Sequence, residues 1–403
     1  MRDVYIAGVG MTEFGKFPDR GVRSHAEHAC ADALTDASMT AGDVETVFFG
    51  NSVSGVITGQ EMIRGQVALR NTGLLGVPIF NVESACASGS SAFHLAWSQV
   101  ASGAVDVALA IGAEKLTHQD KTKSFAAIGT AVDLEMADEL RMRFPGKPGQ
   151  RHGDASTLSN SFFMDLYAGI ARDYMGRSGA TAIDFAKVAA KNSAHGALNP
   201  KAQYRIPRTV EEILDSRVVA SPLTLLMCSP IGDGSAAVVL CSEEYATRTS
   251  DPVRVRASVF LSGQNAPEPG QGAVERAAHR AYEIAGLGPE DLDVVEMHDA
   301  AAPAELIVSE EIGLCAPGDG AKLLDSGATT LGGRVPINPS GGLLSKGHPI
   351  GATGCAQLVE LVEQIRGRAG NRQVPNARVG LAENAGGYLG NDFASVAMTI
   401  LSK

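Results

Sequence analysis

The fold of this chain is decided around one short run, Asn81-Val-Glu-Ser-Ala-Cys-Ala-Ser-Gly-Ser-Ser91, in which Cys86 stands among small residues. Directly after it, apolar residues recur at three- and four-residue steps: Ala92, Leu95, Ala96 and Val100. This spacing predicts a helix with one apolar face. A thiol at a helix start lies near the positive end of the helix dipole and near unpaired backbone N–H groups. The run therefore predicts a nucleophilic cysteine with a favoured thiolate, against the alternative of a buried structural cysteine.

A second glycine-rich run lies near the other end of the chain, Asn338-Pro-Ser-Gly-Gly-Leu-Leu-Ser-Lys-Gly-His-Pro-Ile-Gly-Ala-Thr-Gly354. Its one ionisable ring is His348, and the periodic segment 352–365 that follows predicts another helix. Glycines permit positive φ and a close approach of backbones. We therefore expect His348 at the mouth of a helix, and the density of glycine favours a functional residue over an ordinary turn histidine.

Together the two runs resemble the thiolase superfamily. Cys86 falls at the position of the acylated nucleophile, and Gly347-His348-Pro349 at the catalytic histidine motif. The resemblance also takes in Ser229-Pro-Ile-Gly-Asp-Gly-Ser235 and the opening Val4-Tyr-Ile-Ala-Gly-Val-Gly10, so that four motifs occur in the right order. It implies an α/β, thiolase-like fold: two similar βαβαβ halves form a layered α-β-α-β-α core, and a loop domain is inserted.

The pattern along the chain agrees with two halves. Strand-like runs occupy 4–9, 44–49, 105–111, 253–260, 292–297, 379–382 and 394–401, and helical patterns lie near 25–40, 161–175 and 273–285. This alternation predicts βαβ units around a mostly parallel sheet. We divide the chain into an N-terminal half, 1–116 completed by 223–249, an inserted loop domain, 117–222, and a C-terminal half, 250–403. The resemblance implies that the inserted domain covers the active site.

The subgroup is indicated by His298-Asp-Ala-Ala-Ala-Pro-Ala-Glu305. This segment resembles the sterol-carrier-protein type of thiolase, which has histidine, aspartate, cysteine and phenylalanine in succession. Here Ala300 stands in place of that cysteine and Ala301 in place of that phenylalanine. The resemblance implies that His298 holds a water or a thioester oxygen beside His348. The alternative is a strand-end histidine satisfied by Asp299.

A further departure lies in Leu381-Ala-Glu-Asn-Ala-Gly-Gly387. Glu383 stands where thiolases have an acid/base cysteine, or a histidine in the sterol-carrier-protein type. Small apolar neighbours leave a carboxylate poorly solvated, which raises its pKa and suits it to acid/base work. The alternative is a glutamate that is salt-bridged to a basic neighbour. One oxyanion site is expected to use two backbone N–H groups. The first belongs to Cys86, and the second belongs to the Ala385-Gly386 turn.

The resemblance implies a CoA-dependent acyltransferase that cleaves or forms a 3-oxoacyl-CoA through an acyl-cysteine intermediate, with CoA as a substrate and no metal. His348 is expected to lower the pKa of Cys86, and His348 with His298 to form the second oxyanion site. The alanines at 300–302 hint at a bulky or aromatic acyl group. One alternative is a thiolase-like retro-aldolase or acyltransferase that acts with a separately encoded OB-fold, zinc-ribbon partner. A second alternative is a non-catalytic lipid carrier.

Composition excludes several classes. The net charge of −11 speaks against nucleic acid as a partner, and no apolar stretch of the 403 residues approaches the ~20 needed to span a bilayer. The chain passes from Met1-Arg2-Asp3 straight into a strand-like run, so no secretory signal is expected and a cytoplasmic location is predicted. The six cysteines contain no CxxC pair, which argues against structural zinc and a disulfide framework.

Two further expectations concern binding. Basic residues in the middle region are candidates for the phosphates of CoA, although solvated surface charge is the commoner role: Lys121, Lys123, Arg141, Arg143, Lys147 and Arg151. The resemblance implies a homodimer formed through the sheet edge that follows the nucleophile helix. The apolar run 105–111 is the expected edge strand, because it would invite aggregation if left open.

Overall fold

The computed structural model describes residues 2–144 and 162–403. Within this part of the chain, nine strands form one sheet and two more form a separate ribbon. The strands are β1 (Val4–Met11), β2 (Thr46–Gly50), β3 (Ile79–Val82), β4 (Val107–Glu114), β5 (Val218–Ala220), β6 (Leu223–Thr224), β7 (Gly234–Ser242), β8 (Val253–Ser262), β9 (Val294–Glu296), β10 (Val379–Tyr388) and β11 (Phe393–Ser402). The order across the large sheet is β3-β2-β4-β7-β1-β8-β11-β10-β9.

Helices cover the outer faces of the sheet and also lie between its two halves. In the same described part they are α1 (Val22–Asp36), α2 (Ser54–Thr58), α3 (Arg64–Ala68), α4 (Ser88–Ser102), α5 (Lys121–Ile128), α6 (Ala137–Arg143), α7 (Phe162–Ser178), α8 (Ala182–Ala197), α9 (Val210–Leu214), α10 (Glu243–Ala246), α11 (Ala273–Ala285), α12 (Pro303–Glu311), α13 (Gly320–Asp325), α14 (Gly342–Ser345) and α15 (Thr353–Ile365). None of these described helices combines the length and the apolar character that a membrane span requires.

The large sheet consists of two similar halves. They meet where β1 pairs with β8 over only two residue pairs. In the first half, β2 runs parallel to β4, and β7 lies antiparallel between β4 and β1. In the second half, β9 runs parallel to β10, and β11 lies antiparallel between β10 and β8. The predicted two-half α/β architecture is confirmed.

The helices separate the halves into layers. α1 packs on the outer face of the first half, and α11 packs on the outer face of the second. α4 and α15 pack against each other between the halves, and both contribute to one central apolar core. This arrangement is the α-β-α-β-α layering that the resemblance implied. Of the predicted apolar face of α4, Ala92, Ala96 and Val100 are buried together with Phe93, whereas Leu95 is 40% exposed.

The expectation of a mostly parallel sheet is wrong. Five of the eight pairings in the large sheet, taken over the described residues, are antiparallel. The predicted strands were paired as βαβ units, but β7, which returns between β4 and β1, was not among them. β10 and β11 are joined by residues 389–392 alone, and so short a connection permits only an antiparallel hairpin.

The expectation that 105–111 forms a sheet edge is also wrong. β4 lies between β2 and β7, and all eight of its residues are buried. A strand covered on both faces is apolar along its whole length, which explains the sequence without an open edge. The edge of the first half is β3, which pairs only with β2 in the described part of the chain.

The division into 1–116 with 223–249, 117–222 and 250–403 stays a proposal. It is supported by β7, which lies within 223–249 and pairs with β1 and β4 of the first segment. The helical pattern predicted at 161–175 corresponds to α7, with Ser161 outside the described residues. The helix α8 and the ribbon of β5 and β6 also lie in the middle segment and were not predicted.

The starts of α4 and α15 approach each other closely through two glycines. A Cβ atom on Gly89 would lie 2.8 Å from the Gly351 carbonyl oxygen, and one on Gly354 would lie 2.0 Å from Ser90 Oγ and 2.5 Å from Ser90 N. Real Cβ atoms do not approach backbone at such distances. Only glycine allows the two helices to start this close together.

Gly354→Ala should separate the two helix starts and destabilise the protein by about 1–3 kcal/mol, the usual cost of overpacking a filled core. Gly176→Ala is the matched control, because Gly176 is an exposed residue of α7 and a Cβ added there would meet no atom within 4 Å. That change should stabilise the protein by about 0.5–1 kcal/mol. Urea unfolding measures both values, and equal stability of the two variants would contradict the close contact.

Candidate active site

Cys86 and His348 meet where two helices begin. Cys86 lies in the turn Ala85–Ala87 directly before α4, and His348 lies just before the turn Ile350–Ala352 that leads into α15. The sulfur of Cys86 is 3.3 Å from Nε2 of His348. The contact between the two helix starts therefore brings together two residues that are 262 positions apart in the chain.

Hydrogen bonding defines which nitrogen of His348 carries the proton. Nδ1 is 2.7 Å from Thr353 Oγ1, and that hydroxyl donates to the Pro349 carbonyl at 3.2 Å. With the single hydroxyl hydrogen of Thr353 on the Pro349 carbonyl, the matching tautomer of His348 has Nδ1–H donating to Oγ1. Nε2 is then left with a lone pair that accepts the Cys86 S–H.

The surroundings of Cys86 and His348 favour the neutral form of both side chains. Burial raises the pKa of the Cys86 thiol to about 12, and the Glu114 carboxyl adds to this rise, although the N–H groups of Cys86 and Gly387 oppose it. Burial, His298 and Lys346 together hold the pKa of His348 well below its usual range. The expected depression of the Cys86 pKa is therefore wrong for this state, because desolvation outweighs the helix start.

His298 lies beside His348, with ring centroids 5.2 Å apart and the planes at 71°. It is buried, and burial lowers its pKa to about 4. The carboxylate of Asp299 accepts from Asn192 Nδ2 and from the Leu343 N–H, not from His298. Nε2 of His298 has no hydrogen-bond partner in the described part of the chain. The alternative of a histidine satisfied by Asp299 is therefore wrong.

Glu383 lies behind His298. Its Oε2 accepts the His298 backbone N–H at 2.9 Å, and its buried Oε1 has no partner among the described residues. Burial raises the pKa of Glu383 to about 7, the direction that the sequence predicted. The alternative of a salt bridge is wrong within residues 2–144 and 162–403, since no basic group there pairs with this carboxylate. Glu383 is not among the described residues that line the cavity next to Cys86, His298 and His348.

Ala385 and Gly386 do not form the expected turn. They lie within β10, where they pair with Val396 and Ser395 of β11. The glycines suggested a turn, but this ladder requires small residues because the Cys86 turn packs against it: a Cβ on Gly386 would lie 2.2 Å from the Ser84 carbonyl oxygen. Ala385 lines the cavity, and the backbone N–H that interacts with the Cys86 sulfur belongs to Gly387.

Cys86, His298 and His348 line a cavity of about 440 Å³. Basic side chains also line it, and three of the four are exposed: Lys16, His118, Lys121 and Arg217, with His118 half-buried. Of the six basic candidates from the sequence, Lys121 is the one found here. Arg143 instead bonds the Gly390 carbonyl and the Asn391 side chain, and Lys123 does not line the cavity. Lys147, Arg151 and the Arg141 side chain lie outside the described residues.

One wall of the cavity was missed in the sequence. α7 contributes a face at helical spacing, formed by Phe163, Leu166, Tyr167 and Ile170. The spacing of these residues was the available signal, but an apolar helical face is usually part of a core. Cys228 also lines the cavity, and its Sγ is 3.4 Å from the Thr224 carbonyl.

The same sulfur and two imidazole nitrogens could ligate a metal ion. One ligand atom from each of Cys86, His298 and His348 lies within 4.8 Å of the others. Thiolate and imidazole together suit zinc. The expected absence of a functional metal stays a prediction.

Two successive parts of the chain match two domain families. Residues 4–244 match the thiolase N-terminal domain, and residues 261–402 match the thiolase C-terminal domain-like family. It is 38% identical to the acetyl-CoA acetyltransferase of Methanothermobacter thermautotrophicus, covering 96% of this chain and 97% of that protein. It is 41% identical to the benzoylsuccinyl-CoA thiolase subunit BbsB of Thauera aromatica, with coverage of 96% and 95%. Sterol carrier protein 2 of Bos taurus is 35% identical, over 95% of this chain and 70% of that protein.

A solved structure is similar over nearly the whole chain. It is the Ltp2-ChsH2(DUF35) aldolase, with a TM-score of 0.77, 26% identity and coverage of 99% of this chain and 97% of that one.

Proposed function

This chain belongs to the thiolase family and is a CoA-dependent acyltransferase of that type, and we propose that it cleaves or forms a 3-oxoacyl-CoA through an acyl thioester on Cys86. The observation that carries the proposal is the 3.3 Å contact between the Cys86 sulfur and His348 Nε2, with the His298 ring beside it. A thiol next to a base that is itself oriented by a third group is the arrangement of an activated nucleophile. Thr353 is the orienting group here.

In the cleavage direction, the Cys86 sulfur attacks the 3-oxo carbonyl while its proton passes to Nε2 of His348. The carbon–carbon bond then breaks, leaving an acyl group on Cys86 and the enolate of a shorter acyl-CoA. Free CoA attacks the acyl thioester in the second half, and Cys86 recovers its proton from His348. Condensation is the same sequence in reverse. A neutral pair suits this path, because the proton is needed on His348 only while sulfur carries the acyl group.

Two sites for developing negative charge complete the proposal. The thioester oxygen of the enolate would accept from the protonated His348, with His298 as the second donor. The acyl oxygen on Cys86 would accept from the backbone N–H groups of Cys86 and of Gly387, the residue of β10 that follows the predicted Ala385–Gly386. Donors fixed before the reaction are worth more than water, because they need no reorganisation. We assign Glu383 to holding the His298 backbone, through the 2.9 Å bond to its N–H; its proposed acid/base role stays a prediction.

We propose that CoA enters through the basic side of the cavity. Lys16, Lys121 and Arg217 are exposed there and can meet phosphate groups. The acyl group would lie against the apolar side chains of α7 and the methyl group of Ala300. A bulky or aromatic acyl group is supported by the cavity volume of about 440 Å³ and by the 41% identity to a benzoylsuccinyl-CoA thiolase subunit.

A second candidate is a retro-aldolase or acyltransferase that works with an OB-fold partner. It is favoured by the similarity to the Ltp2-ChsH2(DUF35) aldolase and by Ala300 in place of a second cysteine. An aldolase has no need of the Cys86 thiol, so carbon–carbon cleavage that persists in Cys86→Ala would favour this candidate.

A lipid carrier, the remaining alternative, has no need for a thiol and two histidines that converge. The cytoplasmic location also stays a prediction.

Incubation with acetyl-CoA should increase the intact mass of the protein by one acyl group, carried by Cys86. Cys86→Ala should fold normally, because one small side chain is shortened, yet show no mass increase and no thiolysis. His348→Ala should lose on the order of 10²–10³-fold in turnover, the effect of removing a preorganised oxyanion donor.

The matched control for acylation is Cys315→Ala. Cys315 is a free, half-buried thiol that does not line the cavity, so its loss should leave acylation unchanged. Acylation that survives in Cys86→Ala, or a wild-type protein that no acyl-CoA modifies, would contradict the acyl-cysteine mechanism.

We also propose a homodimer, formed through β3 rather than the predicted 105–111. β3 is an edge strand, and such an edge offers unpaired backbone groups to a second chain. Its Phe80 is 52% exposed and stacks on Phe48, with ring centroids 5.1 Å apart. Leu75, Met62 and Ile63, which precede β3 in the chain, are also exposed apolar residues. A second copy would cover an edge that is otherwise open and apolar.

Sedimentation velocity at micromolar concentration should show a dimer, and Phe80→Glu should convert it to monomer by placing a charge in the interface. Leu134→Glu is the control, since Leu134 is similarly exposed, at 59%, but belongs to the middle segment and not to the first half. A monomeric wild-type protein would contradict the proposal.

A further inference from the structure

The thiolase cycle needs a proton at a position that Cys86 and His348 do not serve. When the carbon–carbon bond breaks, the enolate carbon must receive a proton, and later the CoA thiol must lose one. His348 is occupied by the proton of Cys86 during the same interval. A separate group that carries a proton must therefore face the cavity.

Tyr167 of α7 is such a group. It is only 6% exposed, and it lines the cavity together with Cys86, His298 and His348. Its hydroxyl forms no hydrogen bond with any residue in the described part of the chain, unlike that of Tyr174 in the same helix, which donates to Glu310 at 2.6 Å. Tyr167 lines the cavity, and its hydroxyl has no partner among the described residues, so a bound molecule can form a hydrogen bond with it.

The position of Tyr167 in the cavity is close to the place where the substrate is proposed to react. Tyr167 lines the same cavity as Cys86, His298 and Ala300. Its ring belongs to the same apolar cluster as the alanines at 300–302, which directly follow His298 and Asp299 in the chain. Two other groups that carry a proton are less suitable: the Cys228 thiol contacts the Thr224 carbonyl, and Glu383 is not among the described residues that line the cavity.

We propose that the Tyr167 hydroxyl delivers the proton to the enolate carbon in cleavage and withdraws it in condensation, an inference that rests on the proposed function. The electrons of the broken carbon–carbon bond form the new C–H bond, and Tyr167 becomes a phenolate. The phenolate then takes the proton of the CoA thiol as that sulfur attacks the acyl group on Cys86. Each cycle thus restores the phenol.

Electrostatics is consistent with this order of events. Burial and the neighbouring acidic groups hold the pKa of Tyr167 well above its usual range, so the phenol is protonated before the reaction starts. The same surroundings make a transient phenolate a strong base toward a thiol.

The test compares Tyr167→Phe, Glu383→Gln and Tyr174→Phe with the wild-type enzyme. Acylation of Cys86 by acetyl-CoA is measured by intact mass, and exchange of the α-hydrogens of acetyl-CoA with deuterated water is measured by mass spectrometry. Tyr167→Phe should still acylate Cys86 to the wild-type extent, because CoA can leave as a thiolate, but it should lose on the order of 10²–10⁴-fold in exchange and thiolysis, the usual range for a lost acid/base. Tyr174→Phe removes a hydroxyl from the same helix outside the cavity and should keep both.

Two results would overturn the proposal. One is Tyr167→Phe with exchange and thiolysis at wild-type rates. The other is exchange lost in Glu383→Gln and kept in Tyr167→Phe, which would assign the proton to Glu383. A wild-type enzyme that is not acylated at all would instead overturn the proposed function, and this inference with it. Acylation that is kept while exchange is lost, in Tyr167→Phe and in neither of the other two variants, supports the proposal. The same result excludes a merely structural role for Tyr167, since lost packing would impair both acylation and exchange.

Discussion

The close contact between the starts of α4 and α15 is the constraint on which the rest of the structure depends. Gly89 and Gly354 allow the two helices to start within backbone distance of each other. Each helix start carries one reactive residue, so this contact fixes the 3.3 Å separation of Cys86 and His348. The helices come from different halves of the chain, and the layered fold exists around the core that they share.

The surroundings of this pair are built to keep it neutral. Glu114 lies at the end of β4 and accepts from the backbone N–H groups of Ser52, Val53 and Gly351, so it connects the first half to the segment that carries His348. Burial raises the pKa of Glu114 to about 7 and that of Cys86 to about 12. In the proposed reaction, charge on sulfur therefore arises during the attack, where oriented donors can stabilise it, rather than at rest.

Local sequence patterns predict much of the fold and of the candidate site. The remaining features depend on pairing between residues that are distant in the sequence. The runs around Cys86 and His348 predicted two helix starts, and the structure has both. The direction of strands could not be predicted in the same way, because β7 and the hairpin of β10 and β11 depend on partners distant in sequence. The Cys86 pKa was predicted with the wrong sign, since a helix start is a local feature whereas desolvation depends on the whole cavity. Tyr167 could not be singled out from the sequence, because it lies on an apolar helical face and such a face is usually buried in a core.

The central claim is that Cys86 rests as a thiol and transfers its proton to His348 only when it attacks a substrate. The most direct test is the rate of Cys86 alkylation by iodoacetamide as a function of pH, followed by peptide mass spectrometry. With a thiol pKa of about 12, the thiolate fraction should increase about tenfold per pH unit between pH 6 and 9, and the rate with it. A rate that is constant below pH 7 would indicate a resting thiolate–imidazolium pair and would contradict the account.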